Sequence, residues 1–201
     1  MAKLVSDDRT HSDYAEADLN GARKLCLLVA RRLAGLDDDV VVVGGIVPTL
    51  LVETPEPSSG IEPHLGTKDV DLGLALRLVD EERHDEIADR LRQAGFKRDV
   101  NEFGNLTSQR WVLPGIQGVS LDFLVQPRSG DRHPTTVRRF GADFGAYQIP
   151  GLQLAFEDLR RVFVGDGTPA DGTTDTIQIC DAGAFVVLKA LAMWVPEILT
   201  L

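Results

Sequence analysis

Three aspartates carry the chemistry that this sequence offers. Asp69 and Asp71 stand two residues apart in GTKDVDLGLAL, and Asp122 interrupts the otherwise apolar run VSLDFLV. Val70, Leu72, Leu74 and Leu76 alternate with Asp69, Asp71, Gly73 and Ala75, so residues 69–76 read as a strand of period two. Both acids then leave one face of that strand, roughly 6.5–7 Å apart along it, while the opposite face is apolar. That spacing suits two carboxylates converging on hard cations, because Mg²⁺ takes few carboxylates and keeps its other positions for water and phosphate oxygens. A carboxylate on a core strand is costly unless it is paired or metal-bound, which singles out Asp122. Were its strand to neighbour the first, the three acids would leave space for a two-metal phosphoryl-transfer centre. The competing reading is solvated strand-end acids, or acids paired with Arg110 or Lys68. Asp37-Asp38-Asp39 contains the same spacing, but in a polar turn.

Gly44-Gly45 is the second feature. It closes the β-branched run Val40–Val43 and precedes a short apolar stretch at 46–52. Without side chains the backbone can approach a phosphate closely, and N–H groups at a helix start supply donors. A Gly-Gly by itself reads as a tight turn; beside a carboxylate triad it gains meaning.

The elements that must position these residues follow from periodicity. Apolar Leu19, Ala22, Leu25, Val29 and Leu33 recur at helical spacing through residues 14–36, with Ser12 or Asp13 as cap. Val40–Val43 reads as a buried strand, and 46–52 as a short helix with Pro48 in its first turn. Residues 53–66 hold three prolines and two glycines and read as a loop. A helix is expected over 79–94, stopped by Gly95. Residues 107–113 and 119–125 flank a Pro/Gly turn and suggest an antiparallel hairpin. Residues 126–146 are basic and glycine-rich, with Arg128, Arg132, Arg138 and Arg139, and 147–164 are mixed. Thr176–Cys180 is a short strand, and Asp181 can cap a last helix, Ala182–Trp194, that carries Lys189 and is limited by Pro196. The expected architecture is α+β, a mixed β-sheet flanked by helices. Residues 1–13 are expected to form a flexible N-terminus, 14–180 the main domain and 181–201 a C-terminal helix, a shortened helical subdomain.

Composition sets the outer limits. The 201 residues, 43% hydrophobic and 26% charged, suffice for one good-sized core. No apolar run is long enough to span a bilayer and the start lacks a signal-peptide stretch, so a cytoplasmic protein is expected, with no membrane partner. A net charge of −10 disfavours a broad nucleic-acid surface without excluding a local basic channel. Cys26 and Cys180 sit in apolar contexts and read as buried, reduced thiols.

Taken together, VVVVGGIVPTLLV, GTKDVDLGL and VSLDFLV resemble the nucleotidyltransferase superfamily, whose fold is shared with DNA polymerase beta. The pattern there is a hydrophobic strand, Gly-Gly or Gly-Ser, a helix, Asp-x-Asp on the next strand and a third Asp later. Thr67-Lys68-Asp69-Val70-Asp71 and Lys189 on a later helix are most similar to the AbiEii-type toxin nucleotidyltransferases of bacterial toxin–antitoxin systems. The resemblance implies transfer of NMP from an NTP to an acceptor hydroxyl with Mg²⁺ or Mn²⁺. Asp69, Asp71 and Asp122 would then be catalytic residues and metal ligands, with Asp122 also the general base or its organiser. Gly44, Gly45, Thr67 and Lys189 would be nucleotide-binding, Thr67 more as a strand-start residue than as a direct ligand. The acceptor would be tRNA, a protein or a small molecule, and an antitoxin or other protein partner is implied. The chain departs from the family at Leu65, where an arginine often stands. The family also continues with further helices after the lysine helix, so part of its acceptor region is expected to be missing here. Two alternatives stand beside this reading. One is a non-catalytic nucleotide-binding or interaction module of the same fold, with Trp194, Val195, Ile198 and Leu199 as a partner surface. The other is an antibiotic-modifying nucleotidyltransferase. Arg110 and the arginines of 128–139 are candidates for a basic acceptor path.

Overall fold

Four consecutive valines leave the backbone little choice but extension, because branching at Cβ crowds a helical turn and fits a pleated surface. They form β1 (Val40–Val43), buried along its whole length. The computed structural model describes residues 16–36, 38–52, 67–75, 81–116, 118–128, 137–165 and 175–194. The expected flexible residues 1–13, the caps at Ser12 and Asp13, the 53–66 loop, Arg132 and the segment from Val195 onward lie outside these residues.

The alternating acid-bearing segments form β2 (Asp69–Leu74) and β5 (Ser120–Val125). Between them the chain makes α3 (Glu81–Gln93), β3 (Lys97–Val100) and β4 (Leu106–Val112). Beyond them come β6 (Val137–Phe140), β7 (Phe144–Gln148), β8 (Leu159–Phe163) and β9 (Thr176–Cys180). The remaining helices are α1 (Glu16–Arg32), α2 (Val47–Leu51) and α4 (Ala182–Trp194). One sheet runs in the order β3-β4-β5-β2-β1-β9-β8, and β7, paired with β6, joins β5 beyond the reach of β4. β2 and β5 are parallel, as are β1 and β9, while β1–β2, β4–β5 and β8–β9 are antiparallel. The fold is α+β, with a mixed open sheet flanked by helices.

The two faces of the central strands differ. Val70, Leu72, Leu121, Phe123 and Val125 are fully buried. Phe123 meets Phe144 at a centroid distance of 4.8 Å, and His84 of α3 stacks on Phe140 at 4.0 Å. That aromatic cluster is the heart of the core. On the opposite face a 3-10 turn at Leu152–Phe156 covers Gly73, where an added Cβ would lie 3.3 Å from Leu152. At the acid-bearing end of that face Asp69 and Asp71 are partly exposed and Asp122 is buried.

Local signals in the sequence hold where the chemistry is strong. Gly95, at φ +91, ends α3, and the Phe96 N–H donates back to the Leu91 carbonyl. The Asp181 carboxylate accepts the Ala184 N–H at 2.7 Å and caps α4. Residues 126–146, expected only as a basic, glycine-rich stretch, contain β6 and the start of β7, whose hairpin runs on to Gln148, and β8 lies within 147–164. Cys26 and Cys180 are buried free thiols, and burial pushes them up to about 12 and about 11. Among the described residues no helix is long and apolar enough to cross a membrane.

Candidate active site

Strand register decides where the acids go. In the parallel β2–β5 pair Asp69 lies opposite Ser120 and Asp71 opposite Asp122. Partners in a ladder share a face, with the strands about 4.8 Å apart, so Asp71 and Asp122 are direct neighbours although 51 residues separate Asp69 from Ser120 in the chain. On the other edge of β2, Val43 pairs with Asp71. The chain therefore leaves β1 beside the Asp71 carboxylate and turns there through a 3-10 turn at Gly44–Ile46.

Gly44 is required at that turn for two reasons. Its φ is +75, in the left-handed region, and a Cβ on it would overlap Asp71 Oδ2. A Cβ on Gly45 would lie 2.9 Å from the Cβ of Thr67. Thr67 itself accepts the Asp69 N–H at 3.2 Å, so its hydroxyl braces the start of β2. Lys189 of α4 acts electrostatically on Asp71. Gly44, Gly45 and Thr67 thus gather on the β1 side of the acids, with Lys189 within electrostatic reach of Asp71.

The three carboxylates differ in environment. The Asp71 carboxyl is pushed up to about 8, first by burial and then by Asp122 and Asp69, against the opposing pull of Lys189 and Arg110. Asp69, whose side chain is about a third exposed, accepts the Ser120 hydroxyl at 2.6 Å. Asp122 is 4% exposed, and both its oxygens are taken by Arg110, Nε at 2.8 Å and Nη2 at 2.6 Å. Arg110 sits directly opposite Asp122 in the β4–β5 ladder, and its Nη2 is 3.9 Å from Asp69 Oδ1. Burial pushes Asp122 up while Arg110 pulls it down, and Asp122 in turn holds the guanidinium more firmly protonated. Two short, parallel hydrogen bonds are the geometry of an ionised couple.

Among the described residues, no three carboxylate, imidazole or thiol side chains are placed to hold one metal ion as they stand. Asp69 and Asp71 share one strand face, and the missing side chain of Gly44 leaves room for the Asp71 carboxylate itself. Two carboxylates on one face are a donor type that suits a hard divalent cation together with phosphate and water oxygens. Asp122 keeps unshared lone pairs, since a carboxylate offers about four, but it shares its charge with Arg110.

On the other side of Asp69 a cleft of about 640 Å³ opens towards the β4–β5 turn. Lys68, Asp69, Asp99, Arg110 and Ser120 form its polar wall, and Leu113 and Ile116 belong to its apolar one. Gly21 sits where a Cβ would lie 2.9 Å from Val119 and 3.2 Å from Ile116, so α1 packs directly against that turn. Of the arginines expected along an acceptor path, Arg110 lines the cleft. Arg138 instead lies on β6 with its guanidinium 4.9 Å from the Phe140 ring centroid. Ser120 was not anticipated; the usable signal was its position two residues before Asp122, on the same strand face.

Compared with models of known protein families, with curated proteins and with solved structures, the chain matches none of them significantly.

Proposed function

We propose that the chain is a metal-dependent nucleotidyltransferase, of the toxin-like kind, which moves an NMP unit from an NTP to a hydroxyl of tRNA, a protein or a small molecule. The observation that carries this reading is the register Asp71↔Asp122, flanked by Gly44 at the end of β1. It gathers acids from distant parts of the chain beside a backbone stripped of side chains. Asp69 and Asp71 would hold a divalent cation, which would supply charge neutralisation for the triphosphate and the leaving pyrophosphate. Gly44 and Gly45 admit the triphosphate to the backbone, and Lys189 adds positive charge on that side. The cleft beyond Asp69 is the approach for the acceptor, which arrives past Arg110 and Ser120. In the reaction an acceptor oxygen bonds to the α-phosphorus, the bond to the α–β bridging oxygen breaks, and pyrophosphate leaves. The hydroxyl proton passes to Asp122 or to a water that Asp122 orders.

The test uses α-³²P-labelled NTPs with Mg²⁺ or Mn²⁺ and a panel of acceptors: bulk tRNA, protein and aminoglycosides. Asp71→Asn keeps shape and removes charge, and transfer is expected to fall by roughly 10²–10³-fold or more, as when a group that stabilises transition-state charge is lost. Label transfer that survives Asp69→Ala together with Asp71→Ala would sink the assignment. A second reading, nucleotide binding without transfer, is favoured by one observation, the neutralisation of Asp122 by Arg110. NTP binding abolished by Asp71→Asn, with no label on any acceptor, would select it.

A further inference from the structure

Asp122 sits between two neighbours of opposite character. Across one ladder it faces Asp71, and across the other it faces Arg110. Carboxylates on adjacent strands repel unless positive charge lies among them. In this chain the charge closest to Asp122 comes from the protein itself. Arg110 grips both Asp122 oxygens at 2.6–2.8 Å and stands 3.9 Å from Asp69. The grip spends Nε and Nη2 of a guanidinium whose side chain remains 30% exposed on the wall of the acceptor cleft. A residue placed only to stabilise the sheet would have no reason to reach the cleft. Buried arginine–carboxylate couples are weak evidence for stability, because desolvation offsets much of their attraction.

We propose that Arg110 is a positioning residue that serves as an internal cation at Asp122, holding its carboxylate in place while the site lacks metal and competing with the divalent ion for it when metal binds. This rests on the reading of Asp69 and Asp71 as the metal-holding pair. The guanidinium keeps Asp122 aimed into the acid cluster, and as metal loads, Asp122 is divided between two cations. Removing Arg110 therefore does two things. It leaves Asp122 buried without a counter-charge, and it frees both oxygens for the ion. If Arg110 and Asp122 were only a structural pair, the freed oxygens would not reach the ion and metal affinity would not change.

The experiment titrates Mn²⁺ into the full chain without nucleotide and follows free Mn²⁺ by electron paramagnetic resonance. Arg110→Met is expected to tighten Mn²⁺ binding by roughly ten- to a hundredfold, the range over which groups next to metal ligands alter affinity. Combining Arg110→Met with Asp122→Asn is expected to abolish that gain. Arg110→Lys, which keeps the charge but not the two-pronged grip, is expected to fall between wild type and Arg110→Met. It also keeps the test decisive if Arg110→Met does not fold. Wild-type Mn²⁺ affinity in Arg110→Met, or in Arg110→Lys where Arg110→Met is unfolded, would overturn the proposal. So would a gain that persists in the double variant. The underlying reading is tested apart from this: Mn²⁺ binding that survives Asp69→Asn with Asp71→Asn would remove the metal site itself, whatever Arg110 does.

Discussion

Gly44 is the residue on which the geometry of the site turns. It combines a left-handed backbone with a Cβ position already claimed by Asp71 Oδ2. Gly35 offers the control: its φ is +88, but nothing lies within 4 Å of where its Cβ would be. Alanine at either position costs about 1–2 kcal/mol of backbone strain. Only at Gly44 must Asp71 also move. Gly44→Ala is therefore expected to abolish nucleotide binding and transfer while melting close to Gly35→Ala, which should keep both activities. Calorimetry together with fluorescent-nucleotide titration checks this, and equal nucleotide affinity in the two variants would mean that the Asp71 position does not matter. At this scale much of the constellation was legible. Asp69 and Asp71 declared themselves by alternation and Asp122 by interrupting an apolar run. What spacing could not reveal was register, which is fixed by pairings between segments far apart in the chain. For that reason the grip of Arg110 on Asp122 stood in the sequence as one alternative among several, and the hydrogen bond of Ser120 to Asp69 was not foreseen although Ser120 shares a strand face with Asp122.

Elements were legible where their apolar pattern is dense or alternating. β1, β2, β5 and β9 carry dense apolar or alternating patterns and emerge from the sequence close to their observed bounds. β3 (KRDV) is wholly polar apart from an exposed valine, β6 (VRRF) and β8 (LRRVF) each carry paired arginines, and β7 (FGAYQ) contains glycine. β3 and β8 have no buried residue and β6 only Phe140, so their partners' ladders hold them; β7 is buried throughout, but its short mixed run FGAYQ alternates no more clearly than a loop would, so no single-segment pattern announces any of the four. The ends of elements are tied by polar contacts that periodicity does not reveal either. Arg31, in the last turn of α1, donates from Nε and Nη2 to both oxygens of Asp175, at 2.8 and 3.0 Å, just ahead of β9. The Asp175 side chain is almost fully buried and that of Arg31 about a third exposed. Arg31→Ala leaves a buried carboxylate without this counter-charge; the partial exposure of Arg31 limits the cost to about 3 kcal/mol or less. Urea denaturation should show a lower midpoint with an unchanged slope. A loss no larger than that of Glu86→Ala, which removes the exposed partner of Arg90 on α3, would make the α1–β9 tie unimportant.

For the whole molecule, gathering acids on one face of the sheet has a thermodynamic consequence that a folding measurement can read. The chain already carries a net charge of −10, and the cluster concentrates part of it where burial penalises it. In the metal-free chain the Asp71 carboxyl is pushed from its ordinary value of 3.8 up to about 8, chiefly by burial, and Asp122 is shifted in the same direction. A folded-state value above the unfolded one means that the native chain binds the proton more tightly. Below about pH 4 both states are protonated and the group has no effect. As pH rises towards 8 the unfolded chain has already released its proton while the native chain holds it, so stability declines across that window and levels off above it. Metal reverses the argument, because a bound cation replaces the proton and removes the penalty for the charged form. Thermal melts between pH 5 and 9 in EDTA should therefore show a falling melting temperature. Added Mg²⁺ or Mn²⁺ should raise the melting temperature more at pH 8 than at pH 6. Asp71→Asn should flatten the metal-free slope and remove most of the metal effect. If wild type and Asp71→Asn trace the same curve with and without metal, the strain assigned to the cluster is absent, and Asp69 and Asp71 are no more than solvated residues at the end of a strand.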